Sequence, residues 1–286
     1  MKIGKVINNN VVSSFDENGQ EIILVGTGIG FQWKEGKKIN ETKIQKIFRP
    51  EDPGMTNRLK ELLMDLPMEQ LEVSTEIIEH AKRTLDTELN ENIYITLTDH
   101  IHFAVQRYQE HMVFPNPMLR EVKLFYDKEF QLGEYALEMI HQRLGIRLPI
   151  DEAVSVALHI VSAEFDTRVK DTLKITGFME EVIEIIKDYF KIEPDENSLN
   201  YERFITHLKF LSRKLFSAAD LDDINNDMEE MIQKLCPEEY ACAQKVAEHI
   251  MKRYERQMTP GEIAYLTMHI ERMRKNSRQK KEKKDV

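Results

Sequence analysis

Leu148-Pro149-Ile150-Asp151-Glu152-Ala153-Val154-Ser155-Val156-Ala157-Leu158-His159-Ile160 recurs as Met258-Thr259-Pro260-Gly261-Glu262-Ile263-Ala264-Tyr265-Leu266-Thr267-Met268-His269-Ile270, shifted by 110 residues. Glu152 falls on Glu262, Leu158 on Met268, His159 on His269 and Ile160 on Ile270. Upstream, the same shift lays Glu129 on Glu239, Phe130 on Tyr240, Glu138 on Glu248 and Ile140 on Ile250. A shift of 107 lays His100 on His207, Ile101 on Leu208 and Phe103 on Phe210. A nearly constant offset is the signature of an internal duplication. Two domains of similar fold are expected, at 65–170 and 171–275.

Both copies read as helix. Leu62, Leu63 and Leu66, then Ile77, Ile78 and the apolar positions around Leu85, follow the 3.6-residue period. Pro67, Pro115, Pro117, Pro149, Pro194, Pro237 and Pro260 fall where helices should start or stop. The first 56 residues read differently. Lys2-Ile3-Gly4-Lys5-Val6-Ile7 alternates and ends at Asn8-Asn9-Asn10. Val11–Phe15 and Glu21–Val25 flank Asn18-Gly19, which predicts a hairpin with a type I′ turn. Gly26-Thr27-Gly28-Ile29-Gly30 lacks the Lys-Ser/Thr of a phosphate loop, and no helix pattern follows, so it reads as a tight turn. Phe31-Gln32-Trp33 resumes an extended run, and Ile44–Phe48 supplies a last strand. Arg49-Pro50-Glu51-Asp52-Pro53-Gly54 reads as a linker. The fold class is thus a small antiparallel β-module at 1–56 followed by two duplicated all-α bundles. A module of that size is near the lower limit for folding alone, and dimerisation is a natural remedy.

Among 286 residues, 41% are hydrophobic, which excludes a wholly disordered chain. No run of about 18 apolar residues predicts a membrane span, and Met1–Ile7 has no apolar signal core. Cys236 and Cys242 are too few for a disulfide scaffold and match no four-ligand zinc pattern. A cytoplasmic protein with no cofactor and no metal is expected. The net charge of −10 is unevenly spread: +1 over residues 1–56, +6 over 272–286, and −17 between. The acidic average therefore says little about what the β-module binds. The basic end from Arg272, with 276–286 as its tail, reads as solvated and disordered.

Four of the nine histidines recur between the copies: His100 and His159, His207 and His269. A lone histidine is usually a core or solvated residue, but core positions drift as Leu158/Met268 does, whereas these kept an imidazole. Three chemistries use paired histidines. Metal binding is suggested by His100-Ile101-His102, yet residues two apart on a helix diverge, and the second copy has Lys209 in the third place. Acid–base catalysis finds Glu152 and Glu262 seven residues before His159 and His269, but no nucleophile motif. Phosphoryl acceptance needs only an accessible ring nitrogen and a donor protein, and by elimination it fits best. No catalytic residue is assigned.

The chain resembles the BglG/LicT/SacY family of transcriptional antiterminators. The resemblance rests on Met1-Lys2-Ile3 to Lys5-Val6-Ile7-Asn8-Asn9-Asn10, on Gly26 to Phe31, and on Asp99-His100, Asn116-Pro117, Lys128-Glu129-Phe130, Ala157-Leu158-His159-Ile160 and the surroundings of His207 and His269. It implies a co-antiterminator RNA-binding domain that dimerises on an RNA hairpin in leader mRNA, followed by two phosphotransferase-system regulation domains. Carried over by position, it puts the RNA contacts on Lys5, Asn8, Asn10, Gly26, Thr27 and Phe31. Some family members have Arg or Lys where this chain has Thr27. Amides and an aromatic suit readers of unpaired bases, although Asn8–Asn10 also reads as a turn cap and Phe31 as a small-core aromatic. The resemblance puts phosphorylation on His100, His159, His207 and His269. It implies a sugar-specific enzyme II permease acting negatively on the first regulation domain and the phosphocarrier HPr acting positively on the second. The rivals are a DNA-binding activator with the same regulation domains, for which a helix-turn-helix is missing, and a histidine-dependent metalloenzyme.

Overall fold

The computed structural model describes residues 1–31, 36, 38–50, 52–216 and 227–282, with side chains described for all of these except 227–229 and 276–282. Strands β1 (Ile3–Asn8), β2 (Val11–Phe15), β3 (Glu21–Val25) and β4 (Lys46–Phe48) form one antiparallel sheet in sequence order. Ile22-Ile23-Leu24-Val25 is buried without interruption because both faces of β3 are covered. Ile22 and Leu24 pack with Ile3, Val12, Ile29 and Ile39 on one face. Ile23 and Val25 join Val11, Phe48, Met55, Leu59 and Leu63 on the other.

The last three of those residues belong to helix α1 (Pro53–Asp65), which corrects the linker reading at Pro53 and Gly54. Asp52 caps the helix, its Oδ1 accepting from the Met55 amide at 2.8 Å, and Pro53 takes the first-turn position where no N–H is needed. Position 56 therefore lies inside a helix that lids the sheet. The Asn18-Gly19 turn also differs from expectation. Only Gly19 has positive φ (78°), whereas a type I′ turn needs two such residues. Asp16 decides the outcome: its Oδ1 accepts from the amides of Asn18 and Gln20, both at 2.9 Å, and closes a wider loop. Gln32 and Trp33, read as extended, lie outside the described residues.

The helices that follow are α2 (Met68–Leu85), α3 (Ile93–Gln109), α4 (Leu119–Phe125), α5 (Asp127–Leu144), α6 (Ile150–Glu164), α7 (Val169–Phe190), α8 (Leu199–Phe216), α9 (Asp227–Leu235), α10 (Pro237–Tyr254) and α11 (Pro260–Glu282). They form two compact units: residues 1–119 with 127–166, and residues 120–126 with 167–286. In the first, α2, α3, α5 and α6 pack on one another, and one core runs from the sheet through α1 to Ile77, Ile101 and Ile160. In the second, α7, α8, α10 and α11 pack in the equivalent order. The prolines punctuate as expected: Pro67 and Pro149 immediately precede α2 and α6, and Pro237 and Pro260 open α10 and α11. The disordered reading from Arg272 is overturned for the residues whose side chains are described. Arg274 bonds Glu238 and Glu239 at 2.6 and 2.7 Å and lies over the Phe190 ring, so α11 runs on into the tail.

Candidate functional site: paired histidines and an RNA-binding face

Helix α3 buries Ile93, Leu97, Ile101, Ala104 and Val105 as one stripe, and His100 stands at its edge. Helix α6 is apolar over most of its girth, with His159 the partly exposed exception between Leu158 and Ile160. The packing of α3 on α6 brings the two rings together, with centroids 5.0 Å apart and planes at 35°. His100 Nε2 lies 3.0 Å from Glu152 Oε2, and Arg107 Nη2 donates to Glu152 Oε1 at 2.8 Å. Burial pushes the Glu152 carboxyl up, but His100 and Arg107 outweigh it and hold it below the usual range. Burial, with the His100 charge second, lowers His159 to about 3. His159 Nδ1 is shielded and has no hydrogen-bond partner among the described residues. The ring is therefore neutral at pH 7.

The second copy repeats the plan on α8 and α11. His207 and His269 stack with centroids 3.8 Å apart and planes at 29°. Burial, then the charges of His207 and Arg272, lowers His269 to about 4; burial and Arg272 lower His207 as well. Glu262 again holds a cation, Lys214 at 2.9 Å, and its other oxygen accepts from the Thr259 amide at 2.7 Å, capping α11. His207 Nδ1 meets the Tyr265 hydroxyl, where the first copy has Ser155. His102, the third member of the HIH triplet, points elsewhere: Nδ1 bonds Gln70 at 2.7 Å. Among the described residues no three His, Cys, Asp or Glu side chains converge as a metal site, and no helix is long and apolar enough to cross a membrane.

At the open end of the sheet, the 26–30 loop lies on the β1–β2 turn. The amides of Gly26 and Gly30 donate to the carbonyls of Asn10 and Asn9, both at 2.9 Å, and the Gly28 amide donates to Asn10 Oδ1 at 2.9 Å. These bonds bring Asn8, Asn10, Gly26 and Thr27 together, with Phe31 at the loop's end. Lys5 is exposed farther back on β1, opposite Ser13. Phe31 is 55% exposed and is not a core aromatic. The asparagines are structural as read: Asn8 Oδ1 accepts from the Asn10 amide at 2.8 Å. A Cβ on Gly26 would stand 1.8 Å from the Lys43 carbonyl oxygen, so that glycine serves close approach. Thr27 is exposed and its amide donates to Gln45 Oε1 at 3.0 Å.

Residue-by-residue reading missed Arg107, Lys214, Tyr265, Lys43 and Gln45. Arg107 and Lys214 carry a signal, since they recur at the same 107-residue shift as His100 and His207. Tyr265 is Ser155 in the other copy, and Lys43 reaches the Gly28 carbonyl (3.2 Å) only through the fold, so neither carries one.

The profile of the PRD domain matches residues 75–163 and again 180–273, and the profile of the CAT RNA binding domain matches residues 1–57. The chain belongs to the BglG/LicT family of transcriptional antiterminators. It is 42% identical over 277 residues to the transcription antiterminator LicT of Bacillus subtilis (strain 168), covering 97% of this chain and 100% of that protein. It is 38% identical over 274 residues to the beta-glucoside operon antiterminator of Dickeya chrysanthemi, covering 96% and 97%. A crystal structure of GlcT CAT-PRDI matches with a TM-score of 0.51 at 35% identity, over 57% of this chain and 97% of that one. This antiterminator is a regulatory RNA-binding protein and not an enzyme; its sheet is the RNA-binding domain, and its helical domains are the regulatory ones.

Proposed function

We propose that this antiterminator stabilises an RNA hairpin in the leader mRNA of a sugar-utilisation operon, as a cytoplasmic homodimer, under the control of histidine phosphorylation by the phosphotransferase system. The observation that carries the reading is a close histidine pair in each helical domain, His100 with His159 and His207 with His269, drawn from the positions that recur between the copies. The permease enzyme II acts through the first pair when sugar is absent, and phosphorylation there is inhibitory. HPr acts through the second pair, and phosphorylation there is activating. Lys5, Asn8, Asn10, Gly26, Thr27 and Phe31 form the RNA-reading face.

The energy scale is adequate. A phosphoryl group adds about −1.5 to −2 charge by analogy with other phosphorylated side chains. Swinging a two-state equilibrium from 1:99 to 99:1 needs about 5.5 kcal/mol. Charge-assisted contacts contribute about 1.5–3 kcal/mol each, and a dimer doubles them. His269 is only 6% exposed, so it takes a phosphoryl group only once the α8–α11 contact opens. A terminator–reporter fusion, with dimer content followed by sedimentation, tests the opposed signs. His100→Asp and His159→Asp weaken antitermination; His207→Asp and His269→Asp strengthen it. Identical effects in the two domains overturn the model, and preference for duplex DNA over the hairpin in a gel shift overturns RNA binding.

A further inference from the structure

We infer that Arg107 and Lys214 are the cations that hold the phosphoryl group once His100 or His207 carries it, and that Glu152 and Glu262 are the carboxylates those cations leave when it arrives. The inference rests on the reading of these histidines as acceptors. It goes beyond that reading because it assigns positioning residues that make the modification register as a rearrangement.

In both domains a carboxylate and a cation pair across the two helices that carry the histidines, at the two repeat offsets, and in the first domain the carboxylate also meets a histidine. Glu152 lies between His100 and Arg107, with contacts of 3.0 and 2.8 Å, and its side chain is only 14% exposed. Glu262 holds Lys214 at 2.9 Å and is buried. A phosphoryl group on His100 sets a second anion beside a carboxylate that already owns the guanidinium. Two anions at such separations repel strongly where water is scarce. The phosphoryl group carries the larger charge and three acceptor oxygens, and a guanidinium fork matches it in two hydrogen bonds. Arg107 therefore changes partner, and Glu152 loses both of its contacts. The exchange tugs on both elements, because Glu152 sits in the first turn of α6 and Arg107 in the last turn of α3. The second domain is built to answer differently. Glu262 keeps the Thr259 amide when Lys214 departs, so the start of α11 stays capped. Lysine, a compact ammonium on a flexible stem, leaves with less disturbance than a planar guanidinium. One chemical event thus loosens α6 in the first domain and leaves α11 seated in the second.

Potassium phosphoramidate, which phosphorylates imidazoles without a donor protein, is the probe for the full-length chain. Its P–N bond breaks, a P–N bond to the ring forms, and ammonia leaves with the ring proton as ammonium. Phosphorus NMR, with signals assigned by His100→Ala and His207→Ala, then follows the titration of each phosphoryl group. In Arg107→Gln the His100 signal should titrate about one pH unit higher than in the unaltered chain, a tenfold gain in proton affinity. Arg107→Lys should restore most of the shift, and Lys214→Gln should move only the His207 signal. Glu152→Gln, which keeps the shape but removes the competing charge, should take up phosphoryl severalfold faster at His100. A salt bridge serving stability alone predicts unchanged titrations and unchanged uptake, and that result overturns the inference. If Arg107→Gln is unfolded at the assay temperature, the uptake rate of Glu152→Gln decides. Failure of His100 and His207 to accept phosphoryl in the unaltered chain, from phosphoramidate or from phosphorylated HPr, overturns the acceptor reading itself. Phosphohistidine with unshifted titrations overturns only the cation assignment.

Discussion

The side-chain amide of Asn8 donates a 2.6 Å hydrogen bond to the carbonyl oxygen of Leu63, tying the β1–β2 turn to the last turn of α1. The carbonyls at the end of a helix have no partner within it. Here a residue of the proposed RNA face supplies one. The end of the helix that leads into the first regulation domain is thus coupled to the geometry of the asparagine turn.

Asn8→Ala leaves the Leu63 carbonyl unpaired and removes the acceptor for the Asn10 amide. The full chain should lose about 1–3 kcal/mol, read as a lower urea midpoint. An unchanged midpoint would show that water replaces both bonds at no cost.

Gly26→Ala drives a methyl into the Lys43 carbonyl, 1.8 Å from where its carbon must sit. Backbone has to move, at a cost of about 1–3 kcal/mol, and the 26–30 loop moves with it. Thermal unfolding and a hairpin gel shift should both deteriorate. Retained stability together with full affinity would mean that the loop has slack the structure does not show.

Phe31→Ala separates binding from folding in the opposite way. The ring is 55% exposed, so the melting temperature should stay within a degree or two while hairpin affinity drops by about 1–3 kcal/mol, the worth of one stacked base. A lower melting temperature with unchanged affinity would return Phe31 to a structural role.

Acid should strain the histidine pairs. His159 titrates near 3 in the folded chain and near 6.5 when unfolded, and His269 near 4. Above pH 6.5 the rings are neutral in both states and contribute no penalty. As pH falls from 6.5 towards 3, the unfolded chain takes protons that the folded chain refuses, so stability declines, by an amount on the order of a few kcal/mol. Glu152, held low by His100 and Arg107, adds a loss in the acid end of the same window. His159→Gln should flatten the decline between pH 6 and 4, measured by urea unfolding at each pH. An identical slope would place the acid sensitivity elsewhere.

The sequence by itself determined the division into a β-module and two helical copies, because hydrophobic periodicity and a fixed repeat offset are local properties of the chain. It also singled out His100, His159, His207 and His269, since recurrence needs no coordinates. What it left open was decided by packing across long separations. Whether Asn18-Gly19 made a type I′ turn depended on the Asp16 carboxylate taking the loop amides. Whether Phe31 filled a core depended on Ile3, Ile29 and Ile39 closing that core without it. Pro53 and Gly54 became the start of a helix because Asp52 caps it and because the apolar face of Val11, Ile23 and Val25 needed a cover. The partnership of Glu152 with His100 and Arg107 spans about fifty residues, and only the crossing of α3 and α6 makes it. Spacing along a chain records which side chains share a face of one element; which faces meet, and which charges they set side by side, is fixed only when the elements pack.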